Sequence, residues 1–200
     1  MPKTKNPIKS DILFVDLDDT LVETDTLFDS ILLFIKKTPF NLFNMFYWLL
    51  LGKAVLKHEI ACRVTLNLDT LPYNKSVIDY IISSKKNGQK VVLATATNLK
   101  TARSISDHLK IFDDVIASDI NNNLKGQKKL NVIQDYVNNR DFDYIGDSKA
   151  DIPIFNAAQK AIISNPTRSL VSKYRDTDNV LLLKKKKMNK FLIWLKAIRL

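Results

Sequence analysis

The sequence predicts an α/β fold in which helices alternate with the strands of a parallel sheet. Short, almost wholly apolar runs of strand length recur along the chain, and segments with helical patterning separate them. Parallel strands are covered by helices on both faces, so in a sequence they form continuous apolar runs rather than alternating patterns. The length of 200 residues fits one such domain with a modest insertion.

Five of these apolar runs are predicted to be strands. They are residues 11–15 (DILFV), 90–95 (KVVLAT), 112–118 (FDDVIAS), 142–145 (FDYI) and 161–164 (AIIS). Helices are predicted from an Asn74 N-cap to residue 85, from a Thr97 or Asn98 N-cap to residue 109, over 126–137 and over 151–159. Because helices connect consecutive strands, we expect right-handed crossovers.

Residues 26–71 interrupt this alternation with a segment rich in Leu, Phe, Ile and Lys, in which we predict two to four helices. The segment lies between the first two strands, which indicates a small helical cap inserted into the sheet domain. We therefore divide the chain into a core of residues 10–22 and 76–180, a helical cap of residues 23–75, and a basic amphipathic tail of residues 181–200.

The most apolar stretch of this cap is 40–51 (FNLFNMFYWLLL). It is too short to span a bilayer, and Asn41 and Asn44 interrupt it. We expect its side chains to form the core of the cap. The alternative is a surface that docks on lipid or gates a lipid head group.

Composition and charge limit the cellular setting. Cys62 is the one cysteine, which excludes an internal disulfide and agrees with a reducing cytosol. The first ten residues lack the apolar segment of a secretory signal, so we expect a cytoplasmic location. The net charge of +10 comes entirely from the ends, because residues 1–10 and 184–200 contain ten basic residues and no acid.

The position of the basic residues at the two ends of the chain indicates which binding partners to expect. A nucleic-acid site usually spreads its basic residues over a folded face, so we expect no nucleic acid. In KKKKMNKFLIWLKAIRL, residues 184–200, lysines stand beside large apolar residues. That combination favours contact of the tail with an anionic membrane surface, at the inner face of the cell membrane.

Polar residues follow the predicted strands. In an open parallel sheet, ligands bind at the carboxyl ends of the strands, so these side chains are expected to converge. They are Asp16 and Asp18 after the first strand, Thr95 at the end of the second, Lys125 before the following helix, and Asp147 and Asp151 after the fourth. Carboxylates held together repel one another, and Mg²⁺ with its preference for oxygen ligands offsets that repulsion.

The remaining groups suit a phosphoryl substrate. A threonine hydroxyl and a lysine ammonium stabilise phosphoryl oxygens. Asp16 and Asp18 are two residues apart on an extended segment and so point to the same side. One of them can attack phosphorus, and the other can act as general acid and base.

Four segments, FVDLDDT, VVLAT, LKGQKK and IGDSKAD, resemble in order the four motifs of the haloacid dehalogenase (HAD) superfamily, mostly Mg²⁺-dependent phosphatases. The resemblance implies a Rossmann-like three-layer core with a C1-type cap, and a small phosphorylated substrate. It makes Asp16 the nucleophile and Asp18 the acid/base, with Thr95 and Lys125 on the phosphate.

The same resemblance implies the metal ligands. They are Asp16, Asp147 and the backbone carbonyl of Asp18, supported by Asp151. Lys128, one helical turn beyond Lys125, is an alternative for the lysine. Asp19 stands where many members have glycine, and we expect it to point away and to tolerate substitution.

A narrower resemblance concerns the HAD domain fused ahead of UbiA-type polyprenyl transferases. It involves DTLPYNKSVIDYI, LATAT and the series ASD, LKG, DYIGDS and ADIP. It implies a prenyltransferase partner domain and, as a candidate substrate, a polyprenyl-phosphoribose phosphate. Two alternatives stay open: a non-enzymatic module that positions or regulates a membrane prenyltransferase, and a phosphotransferase or mutase with the same nucleophile.

Overall fold

The computed structural model describes residues 10–183, and these form a six-stranded parallel sheet flanked by helices. The strand order is β3-β2-β1-β4-β5-β6. The strands are β1 (Ile12–Val15), β2 (Lys90–Asn98), β3 (Asp114–Ser118), β4 (Asp143–Gly146), β5 (Lys160–Ser164) and β6 (Val180–Leu183). The predicted α/β, Rossmann-like fold class is confirmed.

Eight α-helices within residues 10–183 connect and cover these strands. They are α1 (Thr26–Lys37), α2 (Leu42–Leu51), α3 (Lys53–Arg63), α4 (Lys75–Lys86), α5 (Leu99–Leu109), α6 (Gln127–Tyr136), α7 (Ile152–Ala157) and α8 (Arg168–Lys173). In the described part of the chain, no helix is both long enough and apolar enough to cross a bilayer.

Both faces of the sheet are buried, which explains why its strands are continuous apolar runs. Along β1, Phe14 packs into one core layer, and Leu13 and Val15 pack into the layer on the opposite face. All three side chains are fully buried. Since successive side chains of a strand point to opposite faces, each layer needs its own cover of helices.

The three helices α1, α2 and α3 lie between β1 and β2 in the chain and pack around a small cluster of their own, formed by Phe34, Leu56, Ile60 and Val64. The chain leaves the sheet domain and returns to it at one place. There, Val22 forms an antiparallel bridge with Tyr73, and the amide of Asn74 donates to the carbonyl of Leu21 at 2.8 Å. These paired segments anchor the cap at its base.

The predicted N-cap positions of two helices are found in the structure, and their side chains act differently. Asn74 is the N-cap residue of α4 as predicted, but its side chain donates to the hydroxyl of Ser164 instead of capping. Asn98, rather than Thr97, caps α5 by accepting from the amide of Lys100 at 3.0 Å.

The predicted start of the basic tail at residue 181 is wrong. Residues 180–183 form β6, which pairs in parallel with β5 through register partners that include Ala161 with Val180 and Ser164 with Leu183. The edge of the sheet thus extends three residues into the predicted tail. Residues 184–200, on which the membrane-contact prediction rests, lie outside the described residues.

The prediction that 40–51 form the core of the cap is also wrong. No residue of α2 is buried. Phe40, Phe43 and Leu50 are 94%, 85% and 86% exposed. Only Met45 and Trp48 of this stretch pack against the buried cluster of the cap. The cap is therefore built with most of its apolar surface facing outward.

Candidate active site

Asp16 lies at the carboxyl end of β1, at the centre of the sheet. Its amide donates to the carbonyl of Ile145 at 2.9 Å, which continues the pairing with β4 by one residue. The side chain is only 9% exposed. One carboxylate oxygen each from Asp16, Asp147 and Asp151 lie within 4.8 Å of one another. The sequence prediction that these three acids converge is therefore met by the structure.

A buried lysine, Lys129, links two of these carboxylates. Its Nζ lies 3.0 Å from Oδ1 of Asp16 and 3.1 Å from Oδ1 of Asp151, and it donates to the hydroxyl of Tyr144 at 2.9 Å. The residue is 2% exposed. Burial acts to lower the pKa of Lys129, but the charges of Asp16 and Asp151 outweigh it, and its pKa is raised. Lys129 therefore stays charged.

This placement corrects the predicted lysine. Lys125 precedes α6 and is exposed, and the alternative, Lys128, is exposed on the first turn of that helix. Lys129 is the next residue, about 100° further round the helix, where it faces the sheet. The segment LKGQKK contains three lysines within five residues. Which of them faces the sheet depends on where the helix begins, and the sequence does not define that position.

Asp151 is held in one orientation by neighbouring hydroxyl groups. Tyr144 donates to Oδ1 at 2.8 Å and Ser148 donates to Oδ2 at 2.8 Å. Burial acts to raise the pKa of Asp151, but the charge of Lys129 and these hydrogen bonds outweigh it, so its pKa is lowered. Tyr144 and Ser148 were not predicted as site residues, although both occur in the DYIGDS segment.

Asp16 and Asp147 carry negative charge that their protein neighbours do not fully balance. Burial raises the pKa of Asp147 to about 7, and the charges of Asp16 and Asp151 add to the effect. Burial also raises the pKa of Asp16 to about 7, against the opposing charge of Lys129. A site that holds three oxygen ligands and excess negative charge fits a divalent cation such as Mg²⁺.

The carboxyl group of Asp18 lies apart from this cluster. Its Oδ1 accepts from the amide of Thr26 at 2.8 Å and from the hydroxyl of Thr26 at 2.6 Å, and its Oδ2 accepts from the hydroxyl of Thr97. Burial raises its pKa, while these hydrogen bonds lower it in part. The side chain is thus oriented by the first residue of α1 and by a residue near the end of β2, and neither threonine was predicted in this role.

Thr95 lies inside β2 rather than at its end, because the strand continues to Asn98. Since Val15 and Leu93 are register partners, the same register places Ala94 opposite Asp16 and Thr95 one residue further along the strand. The residue is fully buried, and its Oγ1 accepts from the amide of Thr97 at 3.0 Å.

Asp19 has a positive φ of 54°, in the left-handed region. This backbone conformation explains why glycine suits the position and why Asp, which tolerates that region better than most residues, also serves there. The carbonyl of Asp19 accepts from the side-chain amide of Asn165 at 3.1 Å.

Lys57 of α3 connects the cap to the sheet domain close to Asp18. Its Nζ donates to the carbonyl of Ala96 at 2.6 Å and to Oδ1 of Asn123 at 3.0 Å. Burial lowers the pKa of Lys57, and the nearby carboxylates of Asp18 and Asp25 oppose that shift. The sequence held no signal for this residue, because its partners lie far along the chain.

Comparison with known proteins gives one curated relative and several solved structures. No family model matches the chain. Over 189 residues, 94% of its length, the chain is 30% identical to a Sinorhizobium fredii protein described as uncharacterized protein y4nM. The matched region is 36% of that protein, so the chain spans about a third of the relative's length.

The solved structures share the fold at low sequence identity. A HAD family hydrolase from Salmonella enterica is 11% identical, with a TM-score of 0.60 over 91% of this chain and 70% of that one. A substrate-bound phosphoserine phosphatase is 16% identical, with a TM-score of 0.56 over 93% and 98% of the two chains. A phospho-aspartyl intermediate analogue of phosphoserine phosphatase is 15% identical, with a TM-score of 0.55 over 93% and 99%. The chain therefore has the α/β fold of the HAD-family phosphatases.

Proposed function

We propose that this chain is a Mg²⁺-dependent phosphatase that hydrolyses a phosphomonoester through an aspartyl phosphate on Asp16. The observation that supports this most is the convergence of Asp16, Lys129, Asp147 and Asp151 from separate segments, with the carboxyl group of Asp18 oriented independently beside them. A nucleophile needs a fixed position, which Lys129 gives to Asp16, and a general acid needs an oriented carboxyl group, which Thr26 and Thr97 give to Asp18.

In the first step, a carboxylate oxygen of Asp16 attacks phosphorus and the bond from phosphorus to the leaving oxygen breaks. Asp18 donates its proton to that oxygen, so the product leaves as an alcohol. The raised pKa of Asp18 favours its protonated form at the start of the reaction. The hydrogen bonds from Thr26 and Thr97 hold its carboxyl group in one orientation.

In the second step, the carboxylate of Asp18 takes a proton from water. The water oxygen attacks phosphorus, the bond between phosphorus and Asp16 breaks, and inorganic phosphate is released. Asp16 and Asp18 return to their starting protonation states, so the cycle balances.

Three groups stabilise the charge of the transferring phosphoryl group. Lys129, held by Asp16 and Asp151, supplies a fixed positive charge at the nucleophile, and Thr95 is the candidate hydroxyl. Asp16, Asp147, Asp151 and the backbone carbonyl of Asp18 are the candidate ligands of Mg²⁺. When bound, Mg²⁺ supplies positive charge that neutralises phosphoryl oxygens and the crowded carboxylates.

The test compares two isosteric substitutions three residues apart. Asp16→Asn should lower hydrolysis of a generic aryl phosphate at least about a thousandfold, because the amide does not attack phosphorus. Asp19→Asn, whose backbone conformation asparagine also tolerates, should keep most of the activity. EDTA should abolish turnover and added Mg²⁺ should restore it.

Trapping identifies the nucleophile directly. Acid quenching followed by borohydride reduction and peptide mass spectrometry should place a reduced aspartyl phosphate on Asp16 and on no other carboxylate. Activity of Asp16→Asn at the wild-type level would overturn the proposal. Absence of turnover and of trapping in the wild-type protein would favour the non-enzymatic module, and faster transfer to a sugar than to water would favour a mutase.

For the substrate, we propose a phosphosugar, with a polyprenyl-phosphoribose phosphate as the candidate. The support is the likeness of DTLPYNKSVIDYI and DYIGDS to the HAD domains that precede UbiA-type transferases. A prenyltransferase partner domain, membrane contact through residues 184–200 and a site of action at the inner membrane face belong to the same proposal. A panel of phosphorylated sugars with and without a polyprenyl tail tests it, since a lipid-linked substrate should show the higher kcat/KM.

A further inference from the structure

The cap presents a continuous apolar surface on α2 and the turn before it. We call this surface the cap patch. It comprises Phe40, Phe43, Phe46, Tyr47, Leu50 and Leu51, which are 55% to 94% exposed. Exposed large apolar side chains that occur singly are ordinary, but a cluster of this size on one short segment marks an interaction surface.

Together with Leu42 and Leu49, which are 37% and 46% exposed, the patch extends around more than half of the circumference of α2. At about 100° per residue, the exposed apolar residues cover every direction except those of Asn44, Met45 and Trp48. Met45 and Trp48 are the two that pack on the cap cluster. A protein partner usually covers one stripe of a helix, whereas the acyl region of a membrane surrounds all sides of an inserted segment.

The charged residues of the segment that carries the patch are all basic, and Glu59, just beyond this segment, is paired with Arg63, whose guanidinium stacks on Trp48. From residue 30 to residue 58 the chain has four lysines and no acidic residue. Lys36 and Lys37 at the end of α1 and Lys53 at the start of α3 are exposed and flank the patch on both sides along the chain. Lysines beside an apolar segment are complementary to anionic lipid head groups.

We propose that the cap patch inserts into the interfacial region of an anionic membrane, with the flanking lysines on the lipid head groups. Tyr47, which is 59% exposed, suits this placement, because an aromatic side chain with a polar group favours the boundary between head groups and acyl chains. The inserted segment is distinct from residues 184–200 and lies outside the carboxylate site, so membrane binding does not depend on catalysis.

A second copy of the chain fits the patch less well. A twofold dimer would pair the patch with itself and bring its lysines close to those of the partner. The segment from residue 30 to residue 58 offers no acidic residue to oppose them. The charge distribution therefore favours an anionic lipid surface over self-association.

The distance along α1 between Asp18 and the cap patch indicates which substrates can reach the site. This step rests on the proposed function. Thr26, at the start of α1, contacts Asp18, and Lys37 at the other end of α1 lies next to the patch. The 12 residues of α1 span about 18 Å. A docked cap patch would therefore place the site within about one short helix length of the lipid head groups, within reach of a phosphate on a membrane-anchored molecule.

Sedimentation of the full chain with vesicles tests the proposal. The protein should bind vesicles of phosphatidylglycerol and phosphatidylcholine and bind pure phosphatidylcholine much less. The double variant Phe43→Ser, Leu50→Ser should weaken binding at least about tenfold, because two large exposed apolar side chains of the patch are replaced by polar ones. Ile82→Ser, an exposed apolar position on α4 that is 38% exposed, is the matched control and should bind normally.

Depth measurement separates the patch from the tail. In a Cys62→Ser background, a fluorophore on Phe43→Cys should be quenched by brominated acyl chains, and one on Ile82→Cys should not. Unchanged vesicle binding by the double variant, or absence of quenching at position 43, would overturn the proposal and assign binding to residues 184–200. A dimer that the double variant disrupts, without vesicle binding, would assign the patch to self-association. Loss of aryl phosphatase activity in Asp16→Asn leaves all these outcomes unchanged.

Discussion

The sheet domain and the cap use apolar residues in opposite ways. In the sheet domain, large side chains such as Phe14, Leu93 and Ile105 are fully buried in two layers around the strands. In the cap, only a small cluster around Phe34 and Ile60 is buried, while α2 exposes most of its apolar residues. The sheet domain is thus built to hold charged groups in place, and the cap is built to present a surface.

The sheet domain and the cap are also expected to differ in rigidity. The backbone of Asp16 is hydrogen-bonded to Ile145 of β4, and the buried side chain of Lys129 donates a hydrogen bond to Asp151. The cap is joined to the sheet domain by the paired segments at Val22 and Tyr73 and by a few polar contacts, among them those of Lys57. Small apolar clusters with few anchors open locally at lower cost than large cores. We expect the cap to move as a unit over a rigid site.

The largest effect is expected from Lys129→Met in the sheet domain. This change removes the positive charge between Asp16 and Asp151 and leaves two buried carboxylates without their partner. Breaking such a pair costs about 3–5 kcal/mol, and activity should be lost as well. Urea unfolding and aryl phosphatase assays measure both effects. Lys125→Met, on the surface, should change neither, and equal effects of the two variants would contradict the assignment of Lys129.

A matched pair of isoleucines compares the two regions directly. Ile105 in the sheet domain and Ile60 in the cap are both fully buried. Ile105→Ala should lower the free energy of global unfolding by about 2–5 kcal/mol. Ile60→Ala should mainly speed amide hydrogen exchange in α1 and α3, with a smaller effect on global unfolding. Equal losses of global stability would show that the cap and the sheet domain unfold together.

Lys57→Met should loosen the contact between the cap and the sheet domain. The variant removes the lysine donor from the side chain of Asn123 and one of the two donors to the carbonyl of Ala96, which keeps its hydrogen bond from Ser118, at a cost of about 1–3 kcal/mol. Faster hydrogen exchange in α3 and a raised KM are expected, with little change in the stability of the sheet domain. Lys53→Met, an exposed lysine on the same helix, is the control. Unaltered exchange in α3 would exclude Lys57 as an anchor of the cap.

A further expected effect is a pH dependence of stability without metal. The pKa values of Asp16 and Asp147 are raised to about 7 in the folded protein, well above the ordinary value of 3.8. Between about pH 4 and pH 7 the folded state therefore binds more protons than the unfolded state, so its stability should fall as pH rises. Tm in EDTA should decrease across this window, and Mg²⁺ should flatten the dependence. A rise of Tm in EDTA from pH 5 to pH 7 would contradict these shifts.

Much of the sheet domain was predictable from local patterns. Buried strands need continuous apolar runs, so the five predicted strands all correspond to strands of the sheet, and no strand end is displaced by more than three residues. The sixth strand, β6, escaped prediction because VLLL runs directly into four lysines and resembles the start of an amphipathic tail. Its pairing with β5 is what defines it as a strand.

The candidate site also combines features that were predictable from the sequence with features that only the structure shows. The sequence by itself determined that Asp16, Asp18, Thr95, Asp147 and Asp151 accompany the strands of the central sheet, because strand ends in a parallel sheet meet at one edge. Only the tertiary structure decided that Lys129 rather than Lys125 reaches the carboxylates, that Thr26 and Thr97 orient Asp18, and that α2 faces outward. Each of these depends on the rotation of a helix or on contacts between distant segments. An apolar pattern shows that a helix is hydrophobic, but the neighbouring elements determine which of its side chains are buried.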